Sequence, residues 1–263
     1  MNISVKNYPK ILVAILTSGK PEKLARCLKS VNSNSSPHER IVVINTTDTD
    51  YTSQATQISF DHGFPVRVTE SNGMPGKGKN SVLDYFLRSD SDWLLPIDGD
   101  DFISDSCLSK LYYEIEKEKF DFGVLVGGKA IRPSGSLIPL KKIHLLPIIV
   151  RTALKSYTRE EVEEYIGLVQ KTYEDFFDGE PLNRTLLLNR NVAKNFRYDE
   201  TMECASDLLF FKQLKKSMKV HPIRTTTEDL LYFYDFSEEG VVMDSLKNKH
   251  ILKNLRKVVN YND

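Results

Sequence analysis

Five apolar residues running into three carboxylates, Trp93-Leu94-Leu95-Pro96-Ile97-Asp98-Gly99-Asp100-Asp101, constrain this chain more than any other stretch. The apolar run reads as a short buried strand, and Gly99 allows the tight turn that ends it. The aspartates then stand at the carboxyl edge of a sheet, where open α/β sheets bind ligands. Three acids so close repel one another unless a positive group joins them. A hard divalent cation, Mn2+ or Mg2+, suits carboxylate oxygen and keeps positions open for substrate phosphates. The competing reading is a solvated acidic turn, since Asp-Gly is a common turn dipeptide.

The preceding segments supply the frame. Ile11 to Leu16 is a continuous apolar run, as a central parallel strand requires, Arg40 to Ile44 reads as a second buried strand, and Val66 to Thr69 as a short third one. Between them lie a helix over Pro21 to Val31, with Leu24, Leu28 and Val31 on one face, and a weakly helical Tyr51 to His62. Strand alternating with helix predicts a parallel sheet. Thr17-Ser18-Gly19-Lys20-Pro21 and Asn45 to Asp50 then sit at the same edge as the aspartates. Glu70 to Asn80 is glycine-rich and carries Lys77, Lys79 and Asn80 ahead of a helix from about Ser81 to Arg88. A Gly-Lys loop before a helix resembles a phosphate cradle, although the spacing is not that of a Walker A loop. A flexible surface loop is the alternative.

Beyond the acids the pattern predicts a helix over Ser104 to Glu118, a strand over Phe122 to Val126 and a hairpin over Lys129 to Leu140. A mixed segment follows, helical from about Arg159. Then come a strand at Thr185 to Leu188, a helical turn at Asn191 to Asn195 and a helix over Asp207 to Ser217 capped by Ser206 or Asp207. Strands at Val220 to Ile223 and Leu230 to Asp235 and an amphipathic helix over Asp244 to Asn262 complete the chain.

With 36 basic and 36 acidic residues, no global field favours nucleic acid or an acidic membrane. Lys212, Lys215, Lys216 and Lys219 cluster on one helix and read as a solvated face. Cys27, Cys107 and Cys204 are odd in number and far apart, which argues against a disulfide framework or a zinc ribbon and for reduced thiols in a cytoplasmic protein. Met1 to Lys10 lacks the apolar core of a signal peptide, and no apolar run reaches about 18 residues. Any membrane contact is expected to be peripheral.

Four features in order resemble glycosyltransferase family 2, of the GT-A fold. They are the first strand with Thr17-Ser18-Gly19-Lys20-Pro21-Glu22 and its helix; Gly76-Lys77-Gly78-Lys79-Asn80; Leu94 to Asp101; and Phe196 to Phe211, with Asp207 opening a helix. The resemblance spans roughly Ile11 to Val242. It implies a Rossmann-like, mostly parallel sheet flanked by helices, with a C-terminal acceptor-side extension. The implied division is a catalytic domain over 1–242, with a nucleotide-sugar half (1–103) and an acceptor half (104–242) containing an excursion at 141–180, followed by a helix over 243–263.

The resemblance further implies a donor site built from Thr17, Gly19, Asn45, Asp50, Gly76, Lys77, Lys79, Asn80 and Asp98. Asp100 with Asp98 would hold Mn2+ or Mg2+, and Asp207 would be the general base of an inverting single displacement. The donor is a nucleotide-diphospho-sugar, a UDP-sugar above others; the acceptor is a glycan, a lipid-linked or another hydroxyl, with a modified base in viral DNA as a lesser alternative. Two departures stand out. Asn45 and Thr46 replace two acids usual after the second strand, and Ser206 precedes Asp207 where the family has Glu; Glu203 is the alternative base. A sugar-phosphate nucleotidyltransferase and a catalytically inactive nucleotide-sugar-binding module are the competing functions.

Overall fold

The protein is described by a computed structural model covering residues 9–70, 73–126, 129–131, 136–139, 156–177, 182–224, 231–235 and 247–262. A seven-stranded sheet forms its centre. The strands are β1 (Ile11–Thr17), β2 (Glu39–Ile44), β3 (Val66–Val68), β4 (Trp93–Asp98), β6 (Phe122–Val126), β9 (Leu182–Asn189) and β10 (His221–Arg224), in the order β10-β6-β9-β4-β1-β2-β3. Every pairing is parallel except those of β9, which runs antiparallel to both β4 and β6. This is the expected α/β architecture.

The apolar runs are continuous because the sheet is covered on both faces. Ile11, Val13, Ile15, Leu95 and Ile97 pack with α1 (Pro21–Asn32), α2 (Thr49–Asp61) and α4 (Cys107–Lys117) on one side. Leu12, Ala14, Ile41, Val43 and Leu94 pack on the other with α3 (Pro75–Arg88), α6 (Arg190–Asn195) and α7 (Ser206–Ser217). Alternate side chains of each strand thus enter opposite cores, and no position on β1 can be polar until the sheet ends at Thr17.

A second sheet lies beyond the acid turn, in the order β5-β11-β7-β8, with β5 (Phe102–Ile103), β7 (Lys129–Ile131), β8 (Leu137–Pro139) and β11 (Tyr232–Asp235). The predicted hairpin is the antiparallel β7–β8 pair. The predicted helix from Ser104 starts later, at Cys107, because Phe102 and Ile103 pair with Phe233 and Tyr232 instead. The excursion at 141–180 is represented by α5 (Arg159–Phe177); 140–155 and 178–181 lie outside the described residues, as does 236–246. The C-terminal helix α8 runs from His250 to Val259 and ends in a 3-10 turn.

Two basic residues do structural work that their sequence context hides. Arg190 donates to the carbonyls of Phe86, Leu87, Ser89 and Ser91, closing the C-terminus of α3 where helix carbonyls lack partners. Lys212, expected on a solvated face, is buried instead, and its Nζ donates to the carbonyls of Val258 and Val259 at the end of α8. The basic patch therefore loses its first member to packing.

Candidate functional site

The acid turn begins where β4 ends. Gly99 N–H donates to the Leu16 carbonyl (2.7 Å) and Asp101 N–H to the Asp98 carbonyl (2.9 Å). A Cβ on residue 99 would lie 2.7 Å from the Thr17 Cβ, so only glycine lets the turn fold back against β1. The three acids then diverge. Asp101 is 1% exposed, and its carboxylate accepts from the Tyr232 hydroxyl and from Asp235 N–H (2.8 Å). Asp98 and Asp100 stay half-buried at the edge. The cluster is thus two carboxylates facing the edge and one withdrawn into the fold. Among the described residues no set of three or more His, Cys, Asp or Glu side chains is arranged to hold a metal ion.

Burial, and after it the charge of Asp98, pushes the Asp100 carboxyl up from 3.8 to about 6. Burial, then Asp100 and Asp98, raises Asp101 as well, against the bonds from Tyr232 and the Asp235 amide. A carboxyl whose folded pKa is raised gives its full contribution below pH 3.8 and loses it as pH rises through about 6. Asp100→Asn is therefore expected to stabilise the metal-free protein at pH 8, by up to about 3 kcal/mol, and not at pH 4. Thermal unfolding of both proteins at the two pH values checks this; an equal shift at both, or none, contradicts it.

The residues expected to hold the donor occupy four settings. Thr17 is buried at the end of β1, its Oγ1 sharing a hydrogen bond with the Tyr51 hydroxyl. Burial pushes that phenol up to about 12. Nothing lies within 4 Å of where a Gly19 Cβ would be, so the start of the loop to α1 is open. Asn45, 2% exposed, has its amide engaged at both ends: Nδ2 donates to the Met74 carbonyl (3.2 Å) and Oδ1 accepts from Thr69 Oγ1 (2.9 Å). Its amide is thus tied into the fold at both ends. Asp50 is exposed in the first turn of α2, whose N-cap is Asp48.

The glycine-lysine segment is not a loop. Helix α3 begins at Pro75, with Met74 as N-cap, so Gly76 to Asn80 form its first turns. The glycines read as loop residues, but they serve close packing. A Cβ on Gly76 would lie 2.8 Å from the Asp199 carbonyl carbon and 3.0 Å from the Glu200 Cα. Helical placement separates the two lysines, Lys77 being exposed and Lys79 turned into a cleft. Asn80 is buried and clasps the facing loop, donating to the Tyr198 carbonyl (3.0 Å) and Glu200 Oε1 (2.8 Å) and accepting from Tyr198 N–H (2.9 Å).

That cleft, about 530 Å³ with its open mouth, brings together Lys79, Asp98, Tyr198 and Asp207 over an apolar floor that includes Leu94, Pro96 and Ile97. Tyr198 stacks on Phe210 (centroids 4.0 Å), and Lys79 Nζ stands 5.5 Å from the Tyr198 ring centre. Burial raises the Tyr198 phenol above its ordinary range, followed by the charges of Asp207 and Asp98, so one ring feels both carboxylates. Asp207 lies in the first turn of α7. The N-cap is neither Ser206 nor Asp207 but Ala205, in the left-handed region (φ 60) with no side-chain cap. Glu203 is not among the cleft-lining residues and accepts from Asn254 of α8 (3.1 Å).

Sequence reasoning missed Tyr51, Tyr198, Tyr232, Asp235, Lys23 and Arg26. Lys23 Nζ donates to Asp235 Oδ1 (2.7 Å) across 212 residues of chain. No local motif marks such a pair.

No helix among the described residues is long and apolar enough to cross a membrane. A search of curated protein sequences finds no match. Among solved structures, the fold is similar to S. aureus TarS 1-349 in complex with UDP-GlcNAc, at 20% identity and a TM-score of 0.60, over 89% of this chain and 60% of that one. It is similar also to TarS 1-349 in complex with UDP, at 19% identity and a TM-score of 0.58, over 95% of this chain and 70% of that one. This chain thus spans under two thirds of the first of these, and at such identity the likeness is one of fold. The sequence model described as glycosyl transferase family 2 matches residues 12–174, from β1 through the acid turn and into α5. Over half of the chain carries that match, and the GT-A arrangement of strands agrees with it: the protein belongs to glycosyl transferase family 2.

Proposed function

We propose that the protein transfers a sugar from a nucleotide-diphosphate donor, a UDP-sugar above others, to an acceptor hydroxyl. The observation that carries this is the cleft in which Asp98 and Asp207 flank Tyr198 and Lys79. Family membership supports it, and TarS crystals hold UDP-GlcNAc and UDP.

Asp207 is the general base: half-buried in the first turn of α7, it takes the proton of the attacking hydroxyl. Lys79 brings positive charge over the ring of Tyr198, and Lys77 is exposed. Thr17, Gly19, Asn45 and Asp50 make the nucleoside side, and Gly76 and Asn80 hold Tyr198 against it. The apolar floor keeps water from competing with the acceptor. One base follows the family pattern of single displacement with inversion. The acceptor is a glycan or lipid-linked hydroxyl; with Lys212 buried, a nucleic-acid acceptor has weaker support.

Asp98 and Asp100 are the residues that would hold Mn2+ or Mg2+. The donor set fits: two half-buried carboxylates, with Asp98 disfavouring charge on Asp100, would take a hard cation whose remaining positions go to phosphate oxygens. Bound there, the cation supplies Lewis acidity to the diphosphate leaving group.

Isothermal titration of nucleoside diphosphates with and without Mn2+ tests this, on wild type and Asp100→Ala at pH 8. One nucleotide is expected to bind with metal only, and the substitution to abolish it. Binding that ignores both metal and Asp100, or no binding of any nucleotide, overturns the reading and leaves the acid cluster a structural turn.

A further inference from the structure

The Asp100 carboxylate is bonded to its own backbone N–H and to no other described residue, yet a metal ligand must be held in place before the metal arrives. Its backbone is what is held. Arg26 Nη2, from α1, donates to the Asp100 carbonyl (2.7 Å) and also to Asp235 Oδ2. The guanidinium lies over the Phe102 ring, with Cζ 4.8 Å from its centre, and Phe102 stacks on Phe233 (4.6 Å, 6°). Asp235 in turn donates its N–H to Asp101 and takes Lys23 on its other oxygen (2.7 Å). Asp235 is 10% exposed at its side chain, and the two cations hold its carboxyl below the ordinary range against burial.

We infer that Arg26 is a positioning residue for the acid turn, setting Asp100 to receive a divalent cation by clamping its carbonyl between α1 and β11; this rests on the proposed function above. Two observations separate it from a merely structural ion pair. Asp235 already has a cation in Lys23, so charge neutralisation alone leaves Arg26 redundant. Arg26 Nε is also buried without a hydrogen-bond partner among the described residues, a cost that a lysine pairing with Asp235 does not incur. What the guanidinium adds is reach: one nitrogen joins the carbonyl of the ligand-bearing residue to the strand that anchors Asp101. Such outer contacts change metal affinity by about 10–100-fold in well-studied sites.

Lys23 provides the internal control, because Lys23→Met removes half of the pairing to Asp235 but leaves the bond to Asp100 intact. Two readouts are made at pH 8. The first is amide hydrogen exchange of the metal-free protein over Asp98 to Asp101. The second is Mn2+-dependent UDP affinity by titration. Arg26→Met is expected to speed exchange in the turn and to weaken Mn2+-dependent UDP binding at least ~10-fold. Lys23→Met is expected to leave turn exchange unchanged and affinity within about threefold, whatever either does to Tm. Equal effects of the two variants on both readouts overturn the inference and reduce Arg26 to an ion-pair partner. Unchanged exchange and affinity in Arg26→Met overturn it also. If wild type binds UDP neither with nor without Mn2+, the functional reading falls and takes this inference with it; if wild type binds and Arg26→Met binds equally, only the inference falls.

Discussion

Asp207→Asn is expected to lower the turnover of sugar transfer by about 10²–10⁴-fold, the usual cost of removing a general base. Mn2+-dependent UDP affinity should stay within a few-fold, because Asp98 reaches the cleft from the end of β4, with Asp100 in the turn after it, while Asp207 comes from α7. The amide keeps the shape of the carboxylate but cannot take a proton. Stability should move little: an acid in a helix first turn contributes about 0.3–1 kcal/mol through the dipole. Measuring donor affinity, turnover and Tm on one preparation decides the matter. A similar loss in Glu203→Gln with Asp207→Asn unaffected would transfer the role to Glu203, which the structure ties to Asn254 instead.

Gly76→Ala is the largest structural effect expected. In a helix interior this change ordinarily stabilises by up to about 1 kcal/mol. Here the added carbon would lie 2.8 Å from the Asp199 carbonyl carbon, against backbone that Asn80 pins from both sides. Relief requires α3 to part from the loop carrying Tyr198. Overpacking of this kind costs about 1–3 kcal/mol or more, so Tm should fall by several degrees and the cleft should open with it. Lys77→Ala, one residue on and exposed, should leave Tm unchanged or raised. A rise in Tm for Gly76→Ala would show that α3 and the loop are not in the contact described.

The parts of the fold legible in the sequence are those whose physics is local. The runs Ile11–Leu16, Ile41–Ile44, Trp93–Ile97 and Phe122–Val126 are all strands because only a doubly covered strand is apolar at every position. The position of the acid turn follows directly. The start of α3 was not legible: glycine lowers helix propensity, and the reason for Gly76 lies on Asp199, far along the chain. The cap of α7 misled for a similar reason. Ser206 and Asp207 are favourable N-caps, but the turn is made by Ala205 in a left-handed conformation, which no local rule favours for alanine. Nor can one apolar stretch announce that β9 runs antiparallel, since periodicity carries no direction. The withdrawal of Asp101 depends on Tyr232, 131 residues later, so three adjacent acids looked equivalent when only two face the edge.

The reversed strand β9 has one more consequence. Because β6 and β9 are antiparallel neighbours, everything between Val126 and Leu182 is topologically the connection of a single oversized hairpin. Both its ends, Val126 paired with Leu182, open on the edge where Asp98 stands. A connection leaving and re-entering at one edge can lengthen, shorten or be exchanged without altering the register of any core strand. Each doubling of a flexible connection costs only about 0.6 kcal/mol in closure entropy. The sheet thus works as a fixed socket, and the connection that carries β7, β8 and α5 is the interchangeable fitting.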